Sequence, residues 1–116
     1  MVTGKPWPRT HIALIPTGDW TEIPAYLRAG GWNAVPDSAN LVAALRSWRD
    51  RYGAELVGFT HDTMDFRVKR LPTSREEALD LAREHYLFCT DTLGELTLRE
   101  RAALLIENDW WFFWWD

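Results

Sequence analysis

The chain ends in six consecutive aromatic residues, 110–115, followed by Asp116. This run holds four of the eight tryptophans, so the most apolar stretch of the sequence lies at one end of it. A chain end is poorly ordered unless it is tied into a sheet or docked on a core, and a solvated aromatic run would promote aggregation. The run therefore predicts a buried strand that belongs to the core.

Length and charge limit the class of protein. A chain of 116 residues is predicted to form a single domain, 1–116. Its 13 Lys and Arg against 17 Asp and Glu give a formal charge of −4, which argues against binding to nucleic acid or to an anionic membrane. The single cysteine, Cys89, cannot form an intramolecular disulfide, and no signal-peptide-like segment opens the sequence. We therefore expect a cytoplasmic protein.

Turn residues divide the first half of the chain. Residues 1–10 are predicted to form an extended N-terminal arm, and the apolar run 11–15 (His-Ile-Ala-Leu-Ile) a first strand. Residues 20–36 are rich in Gly and Pro and predict a loop anchored by its own aromatic residues. Asp37 is then expected to cap an amphipathic helix that ends at Gly53.

The next part of the chain predicts a hairpin. Two strand-like runs, 55–60 and 63–70, are separated by His61 and Asp62. Apolar and charged residues alternate in the second run, so one face is expected against the core and the other in water or on a polar ligand.

Two capping-box patterns, at residues 73–76 and 97–100, predict the remaining helices. The first pattern opens a helix to about Cys89, and the second opens a shorter helix to Ile106. His85 lies on the apolar side of the longer helix and Cys89 at its end, so both are predicted to be core residues.

The predicted order is strand, helix, strand, strand, helix, short helix, strand. This order is that of an α+β, ferredoxin-like split βαβ domain, with an antiparallel sheet, helices on one face and the last strand at an edge beside the first. The last strand carries aromatic residues on both faces, and the helices can cover only one. The other face of the strand could be covered by the aromatic loop, by the N-terminal arm with Trp7, or by a second subunit. We favour the loop.

Several motifs together resemble a bacterial family known as domain of unknown function 4253. They are Pro24-Ala25-Tyr26-Leu27, Gly30-Gly31-Trp32-Asn33, the run 51–58 with Asp62, the run 75–79 with Tyr86 and Cys89, and the Trp-Phe-Phe-Trp-Trp-Asp ending. The resemblance covers nearly the whole chain, but the family has no established activity. The chain departs from the family pattern at Val35, where a cysteine is common, and at residues 90–94, where a longer segment is usual. The resemblance therefore implies that any two-cysteine chemistry of relatives is absent here.

His61 and Asp65 are the weak catalytic candidates. An imidazole and carboxylates near a hairpin tip are groups used for general acid–base catalysis or metal binding. However, Asp and His are also ordinary turn residues, and the spacing matches no metal motif. We therefore predict no metal site and no cofactor, and leave the question of an enzyme open while favouring none.

Aromatic residues in the Gly- and Pro-rich loop are the stronger candidates for recognition. Trp20, Tyr26 and Trp32 could line a pocket or contact a partner, and Arg67 on the polar strand face could receive an acidic group. The sequence shows neither the excess of basic residues nor the pattern of stacking aromatic residues that RNA-binding sheets need. The sequence thus favours a cytosolic binding domain whose partner is another protein, in a regulatory, accessory or toxin-neutralising role, with a homodimer as an open alternative.

A second functional hypothesis is a small-molecule-binding protein or a cofactor-independent enzyme of the dimeric ferredoxin-like type. In that case Trp20, Trp32 and the outer aromatic face would line an apolar pocket. His61 or Asp65 would then supply the polar group.

Overall fold

The computed structural model describes residues 11–116, and the arm predicted for residues 1–10 lies outside them. The architecture is α+β, with a three-stranded sheet. Short 3-10 turns occur at Trp20–Glu22 and Thr90–Thr92. The helices are α1 (Ile23–Tyr26), α2 (Ser38–Tyr52), α3 (Arg75–Phe88) and α4 (Leu98–Glu107), and the strands are β1 (Glu55–Phe59), β2 (Thr63–Arg67) and β3 (Trp110–Trp114).

Helix α2 begins and ends as the sequence predicts. The Asp37 side chain accepts a hydrogen bond from the backbone N–H of Asn40 at the N-terminus. Gly53 ends the helix in the left-handed region at φ 60°, where a Cβ would lie 3.0 Å from Cβ of Lys69. Glycine is thus required both for the backbone conformation and for this close approach.

Of the two predicted capping boxes, one is formed as predicted and the other is not. Before α4 the box is confirmed, because Thr97 and Glu100 each bond the other's backbone N–H. Before α3 the helix begins one residue later than predicted: Ser74 is the N-cap and accepts from the N–H of Glu77. The Glu77 carboxylate accepts from the backbone N–H of Thr73, so its side chain bonds back to the residue before the cap.

The sheet has the strand order β1-β2-β3, and both pairings are antiparallel. The predicted hairpin is confirmed as β1 and β2, with an irregularity at Val57. Strand β3 pairs with β2 along its whole length, so that Phe66 lies opposite Trp111 and Met64 opposite Phe113. The aromatic C-terminal run is therefore a strand of the sheet, as its composition predicts.

The predicted first strand is not formed in the part of the chain described. Residues 11–15 have no sheet partner among residues 11–116, and Ile12 and Leu14 are 96% and 93% exposed. The last strand lies beside β2, so the prediction that it lies beside the first strand is wrong. Apolar character alone does not make a strand, because the backbone also needs a partner edge. The ferredoxin-like order is not confirmed, and the strand count differs from it.

The core is an aromatic cluster between one face of the sheet and helices α2 and α3. Trp48 of α2 stacks on Phe113 of β3, with ring centroids 5.5 Å apart. The edges of Trp111 and Phe88 also meet Trp48, and all four side chains are buried. Helix α4 packs on α3. Helices therefore cover this face of the sheet, as predicted.

The loop does not cover the opposite face of the sheet, contrary to our expectation. The Trp20 ring packs at 6.3 Å against Phe66, a buried residue of the core face, and Trp32 stacks on His61. Trp110 and Trp114 on the opposite face stay 40% and 45% exposed. The short helices formed by residues 20–26 pack against α2, which draws the loop toward the helical side.

Candidate functional site

The sheet face turned away from α2 and α3 is here called the outer face. The β2–β3 register places Arg67 opposite Trp110, and side chains alternate between the two faces of a strand. Strands β2 and β3 contribute Thr63, Asp65, Arg67, Trp110, Phe112 and Trp114 to the outer face. Large aromatic side chains are thus concentrated on β3, and polar side chains lie next to them on β2.

Trp110 is held in place by two residues of β2. Its indole Nε1–H donates to Oδ1 of Asp65 over 3.0 Å. The Arg67 guanidinium carbon lies 5.9 Å from the centre of the Trp110 ring, a cation–π distance, and Arg67 also reaches Asp109 at 3.5 Å. A ring that is already oriented loses little conformational freedom when it binds a partner.

Asp65 differs from Arg67, its charged neighbour on β2, whose face the sequence predicts to lie in water or on a polar ligand. It is only 5% exposed, although it lies on the outer face. Its neighbours explain this burial, because Phe112 lies opposite it and the indole of Trp110 bonds to it. A buried carboxylate needs hydrogen bonds, and the Trp110 N–H is one of them.

The backbone of β3 is anchored along the edge that does not face β2. The Cys89 thiol donates to the carbonyl of Trp114 over 3.0 Å, and the Thr92 hydroxyl donates to the carbonyl of Phe112. The N–H of Asp116 donates to the carboxylate of Asp91. The aromatic strand is therefore bonded on both edges, which gives the outer face a fixed backbone.

The catalytic candidates His61 and Asp65 have different described partners. His61 is exposed and stacks on Trp32, with centroids 4.5 Å apart and ring planes within 5°. Asp65 bonds to Trp110 instead. Among residues 11–116 no group of three or more His, Cys, Asp or Glu is placed to hold a metal ion.

The recognition candidates Trp20 and Tyr26 have structural contacts of their own. Trp20 is half-buried against Phe66, which is the contact of a packing residue. Tyr26 is half-exposed, and its hydroxyl donates to the carbonyl of Pro16. A role for these two residues in partner binding stays a prediction.

Two surface hollows lie among the helices, away from the candidate residues. One, of about 390 Å³, lies between α2 and α3 near Trp48. The other, of about 500 Å³, lies between α3 and α4 near Leu79. The small-molecule hypothesis places an apolar pocket among Trp20, Trp32 and the outer aromatic face, with His61 or Asp65 as its polar group. None of these residues lines either hollow.

His85 is in the core, as predicted, but its partner was not foreseen. The ring is fully buried, and its Nδ1 lies 3.2 Å from Nη2 of Arg101. Burial lowers the pKa of His85 well below its usual value, and the Arg101 charge lowers it further. Because a guanidinium only donates, Nδ1 must accept and the proton of the neutral ring is on Nε2. In the sequence, Arg101 resembles an ordinary solvated residue of an amphipathic helix, so nothing marked it as an inward-pointing side chain.

Cys89 has the environment of a structural cysteine. It is 1% exposed, and burial raises the pKa of its thiol. The thiolate is the reactive form of cysteine, so a raised pKa in a closed environment opposes nucleophilic chemistry. The prediction of an unreactive core residue at this position is consistent with the structure.

Comparison with known proteins identifies a family. No helix among the described residues 11–116 is both long and apolar enough to cross a membrane. No curated protein and no solved structure matches the chain. Residues 11–116 match the family model described as a domain of unknown function, DUF4253. The match spans all of the described structure, and the chain therefore belongs to the DUF4253 family.

Proposed function

We propose that this protein is a small bacterial cytosolic binding domain that recognises another protein through its outer face. The observation that carries the proposal is the exposure of Trp110 and Trp114, 40% and 45%, on one face of one strand. Tryptophan is enriched among the residues that dominate protein–protein binding energy. The proposal includes a role for the protein as a regulatory, accessory or toxin-neutralising partner.

The residues around the two tryptophans support this function. Arg67 is 63% exposed next to Trp110, and arginine, like tryptophan, is enriched among the residues that anchor interfaces. Asp65 fixes the orientation of Trp110 and leaves its ring accessible. The face thus combines apolar anchors with a cation, which suits a partner that has an apolar depression bordered by carboxylates.

The test is affinity capture from a lysate of the native host, followed by measurement of the dissociation constant with the purified partner. We expect Trp114→Ala to weaken binding by about 2 kcal/mol or more, which is roughly 30-fold in the dissociation constant. Arg67→Ala is expected to weaken binding of the same partner. Trp114 is the better choice of the two tryptophans, because removing Trp110 would also take a hydrogen-bond donor from buried Asp65.

The matched control is Tyr86→Ala. Tyr86 is an aromatic residue of similar exposure, 41%, but it lies on α3, on the helical side of the sheet. We expect this variant to bind like the unmodified protein, and both variants to retain cooperative thermal unfolding. Unchanged binding by a folded Trp114→Ala variant would refute the outer face as the recognition surface.

A further inference from the structure

Residues 11–15 form an apolar segment that the described chain leaves unpaired. Ile12 and Leu14 are 96% and 93% exposed, and Pro16 follows directly. Alternate residues of an extended segment lie on the same side, so these two side chains form one apolar edge. The segment thus has the composition of a strand without the partner that a strand needs.

The sheet of the same chain has a strand edge without a described partner, to which such a segment could be added. The far edge of β3 is occupied, since Cys89 and Thr92 bond to its carbonyls. Strand β1 lies at the other end of the order β1-β2-β3, and no described residue pairs with its far edge. Val57 of β1 is 50% exposed and could pack beside an added apolar strand.

We propose that two copies of this protein exchange these segments, residues 11–15 of each adding a strand to the open edge of β1 in the other. Among residues 11–116 neither the segment nor the far edge of β1 has a strand partner, so pairing between copies satisfies both at once. Addition of an extended segment to a sheet edge is an established binding mode, and the reciprocal exchange closes a two-fold dimer. This inference is independent of the proposed function, because it uses the β1 edge and not the tryptophans of the outer face.

The first test is the mass of the full chain in solution, measured by sedimentation over a range of protein concentrations. We expect a dimer of about twice the 13.5 kDa chain mass, which dissociates on dilution. The double variant Ile12→Asp and Leu14→Asp should stay at the single-chain mass. Because both side chains are exposed in the single chain, this variant should keep its helical circular dichroism and its cooperative unfolding.

The control is Leu87→Asp, which introduces the same charge at an 81% exposed leucine of α3. It should dimerise like the unmodified chain. A chain that stays at the single-chain mass at every concentration, or a dimer that persists in the Ile12→Asp and Leu14→Asp variant, would overturn the proposal.

Cross-linking then distinguishes exchange from pairing within one chain. An Ala13→Cys chain is mixed with a size-tagged Val57→Cys chain and treated with a short thiol-specific cross-linker, while Cys89 is protected by burial. We expect a cross-linked product that contains one chain of each size. If no such product forms, or if a chain carrying both substitutions cross-links only internally at the single-chain mass, exchange is refuted.

Discussion

Phe113→Ala is the change that most directly tests the aromatic core. Phe113 is fully buried, and its ring contacts a set of five other rings: those of Trp48, Phe66, His85, Phe88 and Trp115. Loss of a buried phenylalanine costs about 3–5 kcal/mol, because the transfer free energy is lost and a cavity remains. Each aromatic pair adds about 0.5–1.5 kcal/mol beyond its buried area, so we expect a loss near the upper end of that range.

Phe112→Ala is a control of the same residue type at the next position. Phe112 lies on the outer face and is half-buried, so its truncation should cost about 1 kcal/mol. Urea denaturation measures both values. With a slope of about 1–3 kcal/mol/M, a loss of about 4 kcal/mol lowers the midpoint by about 1.3–4 M. Equal midpoint shifts for the two variants, or a loss below about 1 kcal/mol for Phe113→Ala, would refute the assignment of the core face.

Two further predictions concern buried titratable groups. The pKa of His85 is lowered in the folded state, so only the unfolded chain takes up a proton there as the pH falls below about 6.5. Folding stability should therefore decrease below that pH by up to about 1.4 kcal/mol per pH unit, and His85→Gln should remove this part of the slope in urea titrations at pH 7 and pH 5. Cys89 should react slowly with a thiol reagent in native buffer and rapidly in denaturant; fast native labelling would contradict its burial.

Local signals in the sequence were sufficient for most elements of the fold. The caps at Asp37 and Thr97, the left-handed Gly53 and the hairpin all appear where the residues predict them. These features depend on interactions between neighbours in the chain, which a sequence displays directly. The aromatic strand was equally predictable, because six consecutive aromatic side chains need a large buried surface.

The errors arose where long-range pairing decides the outcome. Residues 11–15 have the composition of a buried strand. However, β2 pairs with β1 on one edge and with β3 on the other, so neither edge of β2 is left for them. The inward direction of Arg101 depends on its contact with His85, and the burial of Asp65 depends on Trp110. In each pair the two residues lie far apart in the sequence. For the same reason the exposed residues of the candidate site could not be identified beforehand: the choice between the two faces of β3 depends on where the helices pack.

Footprinting of the captured complex by hydroxyl radicals tests the central claim, that the outer face binds a protein partner. In the isolated chain Trp110 and Trp114 should be oxidised readily, as their exposure predicts, and Tyr86 on α3 should be oxidised as well. In the complex we expect both tryptophans to be protected and Tyr86 to stay reactive. Tryptophans that are oxidised as fast in the complex as in the isolated chain, with protection confined to the helical side, would contradict the account.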